Sequence, residues 1–96
     1  MTTLERMQQL RSRILEIAAR HGVTDIRVFG SVARREDRVD SDIDLLVVVG
    51  GQASSWFPAG LVLDLEALLD RRIEVVTENG LDPRLRERVL REAVAL

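Results

Sequence analysis

Two aspartates one residue apart, Asp42 and Asp44, stand at the mouth of the most apolar run in the chain, residues 43–49. This juxtaposition constrains the fold more than any other feature. A run that is apolar at both alternating sets of positions has to be covered on both sides, which places it centrally in a sheet. A carboxylate carried to the edge of such a core is costly unless something pairs with it. The chain therefore calls for a central strand that opens onto a polar site.

The flanking sequence supplies the cover. Leu4, Met7, Leu10, Ile14, Ile17 and Ala18 recur at three- and four-residue steps, so residues 2–21 read as one amphipathic helix. Thr2 and Glu5 have capping-box spacing at its start, and Gly22 follows its end. Residues 25–29 alternate as a half-buried strand, Gly30-Ser31 breaks it, and 31–35 form a short helix capped by Ser31. A charged loop, 36–41, leads to the apolar strand. Residues 50–60 are a connection rich in Gly and Ser that holds a Trp56-Phe57 pair, read either as a cover over the core edge or as a contact patch for a nucleobase or a partner. A second amphipathic helix over 61–70 precedes a third strand over 73–77 and an Asn79-Gly80 turn. Asp82 caps a last helix with Pro83 at its first position, and Leu85, Val89, Ala93 and Leu96 form its buried stripe. The fold class is α/β (α+β): a small mixed or parallel sheet of at least three strands flanked by helices, in one domain over residues 1–96.

Composition narrows the function. Ninety-six residues leave no room for a second domain, so a large substrate would have to be gripped by a partner chain or a second copy. The formal net charge of −2 argues against direct nucleic-acid binding. The absence of Cys removes disulfides and thiolate metal sites. No apolar run approaches a membrane span and the N-terminus lacks a signal-peptide layout, so a cytoplasmic location is expected. Every basic residue is Arg, so cationic help to a phosphate has to come from guanidinium groups.

Residues i and i+2 of a strand point the same way, so Asp42 and Asp44 project side by side. Two like charges ~6 Å apart repel by about 3 kcal/mol at an effective dielectric of ~20, and a divalent cation between them reverses the sign. An all-oxygen pair without His or Cys suits Mg2+, which is held by one or two carboxylates together with substrate phosphates. Gly30 allows close backbone approach, Ser31 offers a hydroxyl beside the N–H groups of a helix start, and Arg34 lies one turn along. One half of the segment suits phosphate oxygens, the other the metal that bridges them.

Gly30-Ser31-Val32-Ala33-Arg34 followed by Ser41-Asp42-Ile43-Asp44-Leu45 resembles the signature of polymerase-β-type nucleotidyltransferases. Size and layout are similar to the minimal nucleotidyltransferase family over nearly the whole chain. The resemblance implies a polymerase-β-like nucleotidyltransferase fold, with Gly30 and Ser31 binding the triphosphate of ATP and Asp42 and Asp44 holding two Mg2+ ions. It implies a third carboxylate on the neighbouring strand, here Glu74 where the family usually has Asp, to complete the metal site and help activate the attacking hydroxyl. It further implies an antitoxin paired with a HEPN-family toxin, transferring AMP to a hydroxyl of that partner. Glu is one methylene longer than Asp, and a displacement of ~1 Å in a preorganised site can cost ~100-fold in rate. Two alternatives stay open: Glu74 is simply a solvent-facing residue on an edge strand, or the chain is a catalytically weak module that neutralises a HEPN ribonuclease by complex formation.

Overall fold

The apolar run forms strand β2 (Ile43–Val49) in the interior of a four-stranded mixed sheet. In the computed structural model, which describes residues 1–96, the elements follow in the order α1 (Thr3–Gln9), α2 (Arg11–Arg20), β1 (Val23–Phe29), α3 (Gly30–Ala33), β2, α4 (Ala59–Leu69), β3 (Ile73–Thr77), a 3-10 turn (Glu78–Gly80), α5 (Pro83–Glu92) and β4 (Val94–Ala95). The strand order is β3-β2-β1-β4; β2 runs antiparallel to β1 and parallel to β3, and β4 runs antiparallel to β1. The parallel pair is possible because α4 carries the chain back across the sheet.

Ile43, Leu45 and Val47 of β2, Ile26 and Val28 of β1 and Ile73 of β3 join Met7, Ile14, Leu61, Leu65 and Leu69 of the helices in one buried cluster. Leu46, on the opposite face of β2, is buried as well, as expected for an interior strand apolar on both sides. The capping box at Thr2 and Glu5 is formed in full. Gly22 ends α2 with φ +81°, and Asp82 caps α5 by accepting the N–H of Arg84.

Four expectations are corrected. The first helix is two, broken at Leu10 (φ −94°, ψ 11°), whose N–H still reaches the carbonyls of Arg6 and Met7. The break takes a single residue, so Leu4, Met7, Ile14, Ile17 and Ala18 remain buried on both sides of it. Ser31 is not a cap: α3 begins one residue earlier, at Gly30, with Phe29 in the capping position and no side-chain capping bond. The last helix ends at Glu92, and the following residues form β4, which pairs Val94 with Val28 and Ala95 with Arg27. Of its expected buried stripe only Val89 is buried: Leu85, within α5, is 50% exposed, and Ala93 and Leu96 lie beyond the helix end, around a strand and not on a helical face. The Trp56-Phe57 pair divides its roles. Phe57 packs on the core, and Trp56 is 76% exposed.

Candidate active site

The sheet topology brings the chemistry-bearing residues together. Because β1 is antiparallel and β3 parallel to β2, the end of β1 and the starts of β2 and β3 lie at one edge of the sheet. Asp44 is flanked in register by Phe29 on one side and Glu74 on the other, and Gly30 follows Phe29 directly. Gly30, Asp44 and Glu74, distant in sequence, thus become neighbours.

Gly30 is required twice over. Its φ of +74° lies in the left-handed region, and a Cβ there would collide with the Asp44 carboxylate. The turn that offers backbone N–H groups and the strand that offers carboxylates are therefore in van der Waals contact. Helix α3 is a single turn, so any anion binding comes from its few free N–H groups, the Ser31 hydroxyl and Arg34, with little contribution from a macrodipole.

A residue that sequence reasoning did not single out, Glu92 at the end of α5, occupies part of this turn. Its Oε2 accepts the Gly30 N–H at 3.2 Å, and its Oε1 pairs with the guanidinium of Arg34. Arg34 Nε also donates to Glu36 Oε2 at 3.1 Å. These bonds, the one to Glu92 foremost, raise the Arg34 pKa above its usual value.

The carboxylates repel one another. Burial, then the neighbouring Glu74 carboxylate, then the charges of Asp42 and Glu92 push the Asp44 pKa up from 3.8 to about 6. Asp42 Oδ1 is a buried oxygen without a hydrogen-bond partner. Arg72 Nε stands 3.1 Å from it as an ion pair, off the hydrogen-bonding direction, on a side chain that is largely exposed. A lone pair left unmet at Asp42, and a carboxylate at Asp44 that its neighbours make hard to ionise, are what a cation would relieve. No three His, Asp or Glu side chains close on a point tightly enough to cage an ion by themselves. A Mg2+ ion here would have to complete its coordination with water and substrate phosphate oxygens. Asp42 and Asp44 would hold the metal, with Glu74 beside Asp44; bound there, it would offset charge on the phosphates.

Behind the aspartates the loop over 36–41 is fastened by Arg71. Its Nη2 and Nε donate to the Ser41 carbonyl at 2.7 and 3.1 Å, and its remaining donors reach Thr3 Oγ1 at 3.2 Å and Asp37 Oδ2 at 3.4 Å. Thr3 Oγ1 in turn donates to Asp37 at 2.6 Å. The Ile43 N–H bonds to the Arg72 carbonyl at 2.8 Å, so Asp42 is held between two tethered residues.

The family described as nucleotidyltransferase domain matches this chain over residues 9–96. The chain belongs to the nucleotidyltransferase domain family. Protein adenylyltransferase MntA of Thermococcus cleftensis is 39% identical over 95 residues, covering 98% of this chain and 96% of the relative. A solved structure provisionally described as a minimal nucleotidyltransferase is 50% identical with a TM-score of 0.85, covering all of this chain and 97% of the other. A toxin-antitoxin complex named MntA-HpeT, 18% identical with a TM-score of 0.69, covers 86% of this chain and 68% of that one, and shares the fold.

In this nucleotidyltransferase the six residues expected at the site, Gly30, Ser31, Arg34, Asp42, Asp44 and Glu74, gather at one edge of the sheet. Glu74 lies on an edge strand and is exposed, and it also faces Asp44. Asp42 and Asp44 are half-buried beside the exposed Glu74, and none of the main surface concavities is lined by these three residues. Glu92 carried no readable signal, because its meeting with Gly30 spans 62 residues and depends on where α5 ends.

Proposed function

We propose that this nucleotidyltransferase is a Mg2+-dependent protein adenylyltransferase that moves AMP from ATP to a hydroxyl of a partner protein, the partner being a HEPN-family toxin. The reading treats residues 1–96 as one minimal nucleotidyltransferase domain. The observation that carries it is the contact between the Gly30 turn and the Asp44 carboxylate, which gives the phosphate-facing and metal-facing groups one shared site. The name of the Thermococcus relative supports the choice of a protein as acceptor. The name of the MntA-HpeT complex supports a toxin as partner.

In this reading Ser31, the Gly30 turn and Arg34 orient the triphosphate so that its α-phosphorus faces the open side. Asp42 and Asp44 would hold two Mg2+ ions, which would supply charge neutralisation for the leaving pyrophosphate. The acceptor oxygen forms a bond to the α-phosphorus, the bond from that phosphorus to the bridging oxygen breaks, and pyrophosphate departs. Glu74, beside Asp44, takes the acceptor's proton. The chain contains no Tyr, so a tyrosine acceptor has to come from another molecule.

Incubation of the chain with ATP, Mg2+ and its partner should add the mass of one AMP to the partner, and Asp44→Asn should abolish the addition. No added mass with wild type, or equal addition by both, overturns the reading. The longer Glu at position 74 favours a second reading, a binding module that neutralises the toxin by complex formation alone. Undiminished toxin inhibition by an Asp42→Asn, Asp44→Asn double variant would select it.

A further inference from the structure

Glu92 belongs to none of the roles assigned above, yet it holds two of the donors that those roles require. Its two carboxylate oxygens meet two donors, the Gly30 N–H and the Arg34 guanidinium, in the pattern that two oxygens of a phosphate would adopt. We propose that Glu92 is an internal anion seated in the phosphate grip, that an incoming nucleoside triphosphate has to displace it, and that it thereby sets nucleotide affinity. The inference rests on the nucleotide-binding reading given above.

Its position is not explained by its own helix. Glu92 is the last residue of α5, where the carbonyl end of a helix disfavours a negative charge. It is only 16% exposed, and its charge is one of those acting against Asp44. Neither its own helix nor the carboxylates favour another anion here; the Gly30 and Arg34 donors do. Paired in this way, Arg34 presents no net charge to a triphosphate until the pair separates.

The surrounding backbone limits how Glu92 can leave. Val94 and Ala95 pair with β1, and Arg11 Nε donates to the Leu96 carbonyl at 2.7 Å. With the chain anchored just beyond residue 92, displacement is a rotation of the Glu92 side chain and leaves the fold in place. Gln at this position can still accept the Gly30 N–H but gives up the charged bond to Arg34. Asp keeps the charge but is too short to span both donors.

Calorimetric titration of the full chain with a non-hydrolysable ATP analogue and Mg2+, at fixed salt, reads the effect directly. Glu92→Gln should bind about 10-fold more tightly than wild type, the worth of about one charge-assisted hydrogen bond. Glu92→Asp should bind more tightly too, by about 3-fold, since the donors are freed while the charge stays nearby. In wild type, adding the analogue should shift the Gly30 amide and Glu92 carboxyl resonances together. If wild type binds and both variants bind equally or less tightly, the role of Glu92 is overturned while the nucleotide-binding reading stands. An Asp variant that matches wild type beside a tighter Gln variant reduces the effect to charge repulsion and also overturns the displacement. If neither wild type nor variants bind, both readings fall.

Discussion

Asp44 and Glu74 are register partners across the parallel β2–β3 pair, and the Glu74 carboxylate acts against ionisation of Asp44. Two carboxylates so placed ionise together only at a cost, and the cost falls on Asp44, the more buried of the two. Parallel pairing places Cα atoms of neighbouring strands ~4.8 Å apart, so the repulsion is set by the backbone and is not relieved by a small rotation.

The pH dependence of stability follows. The fold raises the Asp44 pKa from 3.8 to about 6, so its protonated form is the favoured one. Its contribution to stability is fully present below the unfolded value and is lost as the pH rises through about 6. Asp44→Asn, which imitates the protonated carboxyl, should therefore be more stable than wild type at about pH 7.5, by about 1 kcal/mol once solvent screening at this partly exposed position is allowed for. Denaturant titrations along a pH series should show the difference closing as the pH falls below the ordinary carboxylate value. Millimolar Mg2+ should narrow it from the other side, by stabilising wild type alone.

Glu74 provides an independent check on the same geometry. The Glu74 carboxylate follows burial as the main cause of the shift at Asp44. Glu74→Gln should bring the Asp44 pKa down from about 6 toward the ordinary value, read as a carboxyl carbon titration by NMR. The same variant should lower AMP transfer by about 100-fold, in the range expected for loss of a general base. An unchanged Asp44 titration would show that the two side chains do not meet.

Gly30→Ala tests the contact between the turn and the carboxylate. The new methyl group would meet Asp44 head-on, in a backbone conformation that Ala rarely adopts. A loss of about 2 kcal/mol in unfolding free energy is expected, together with loss of ATP binding, because the strained turn and the displaced carboxylate belong to one site. A Gly22→Ala control, also at positive φ but against the backbone of Gln52 and Ala53, should cost stability while leaving nucleotide affinity alone.

Much of this arrangement was legible in the sequence, for physical reasons that also mark where legibility stops. A seven-residue strand apolar on both faces can sit only inside a sheet, so β2 and the aspartates at its mouth could be placed directly. The capping residues Thr2 and Asp82 announce helix starts through bonds that close within three residues. The β2–β3 register, which makes Asp44 and Glu74 partners, depends on strand pairing and leaves no local trace. Strand β4 has two residues, too few for any period to show, so Ala93 and Leu96 read as the continuation of a helix that had already ended. Glu92 escaped notice for the same reason. On a helix surface it is one charge among many, and only the end of α5 beside Gly30 gives it a partner.

Arg71 carries the last prediction, because it positions the aspartates without touching them. Its guanidinium, 14% exposed, holds the Ser41 carbonyl with two donors and pairs with Asp37, which is 10% exposed. Removing the cation leaves Asp37 with only the Thr3 hydroxyl and frees the peptide that precedes Asp42. Arg71→Ala should cost about 2–3 kcal/mol, below the range for fully buried pairs because both partners keep some solvent contact. Arg71→Lys should recover part of the stability, since its ammonium can reach Asp37 or the carbonyl but cannot fork across both. The discriminating measurement is catalytic. If the loop acts by placing Asp42, the Lys variant, assayed well below its unfolding temperature, should show a raised Mg2+ requirement and a lower kcat at unchanged KM for the partner protein. A variant that loses stability alone, with Mg2+ dependence and kcat as in wild type, would reduce Arg71 to a structural tie.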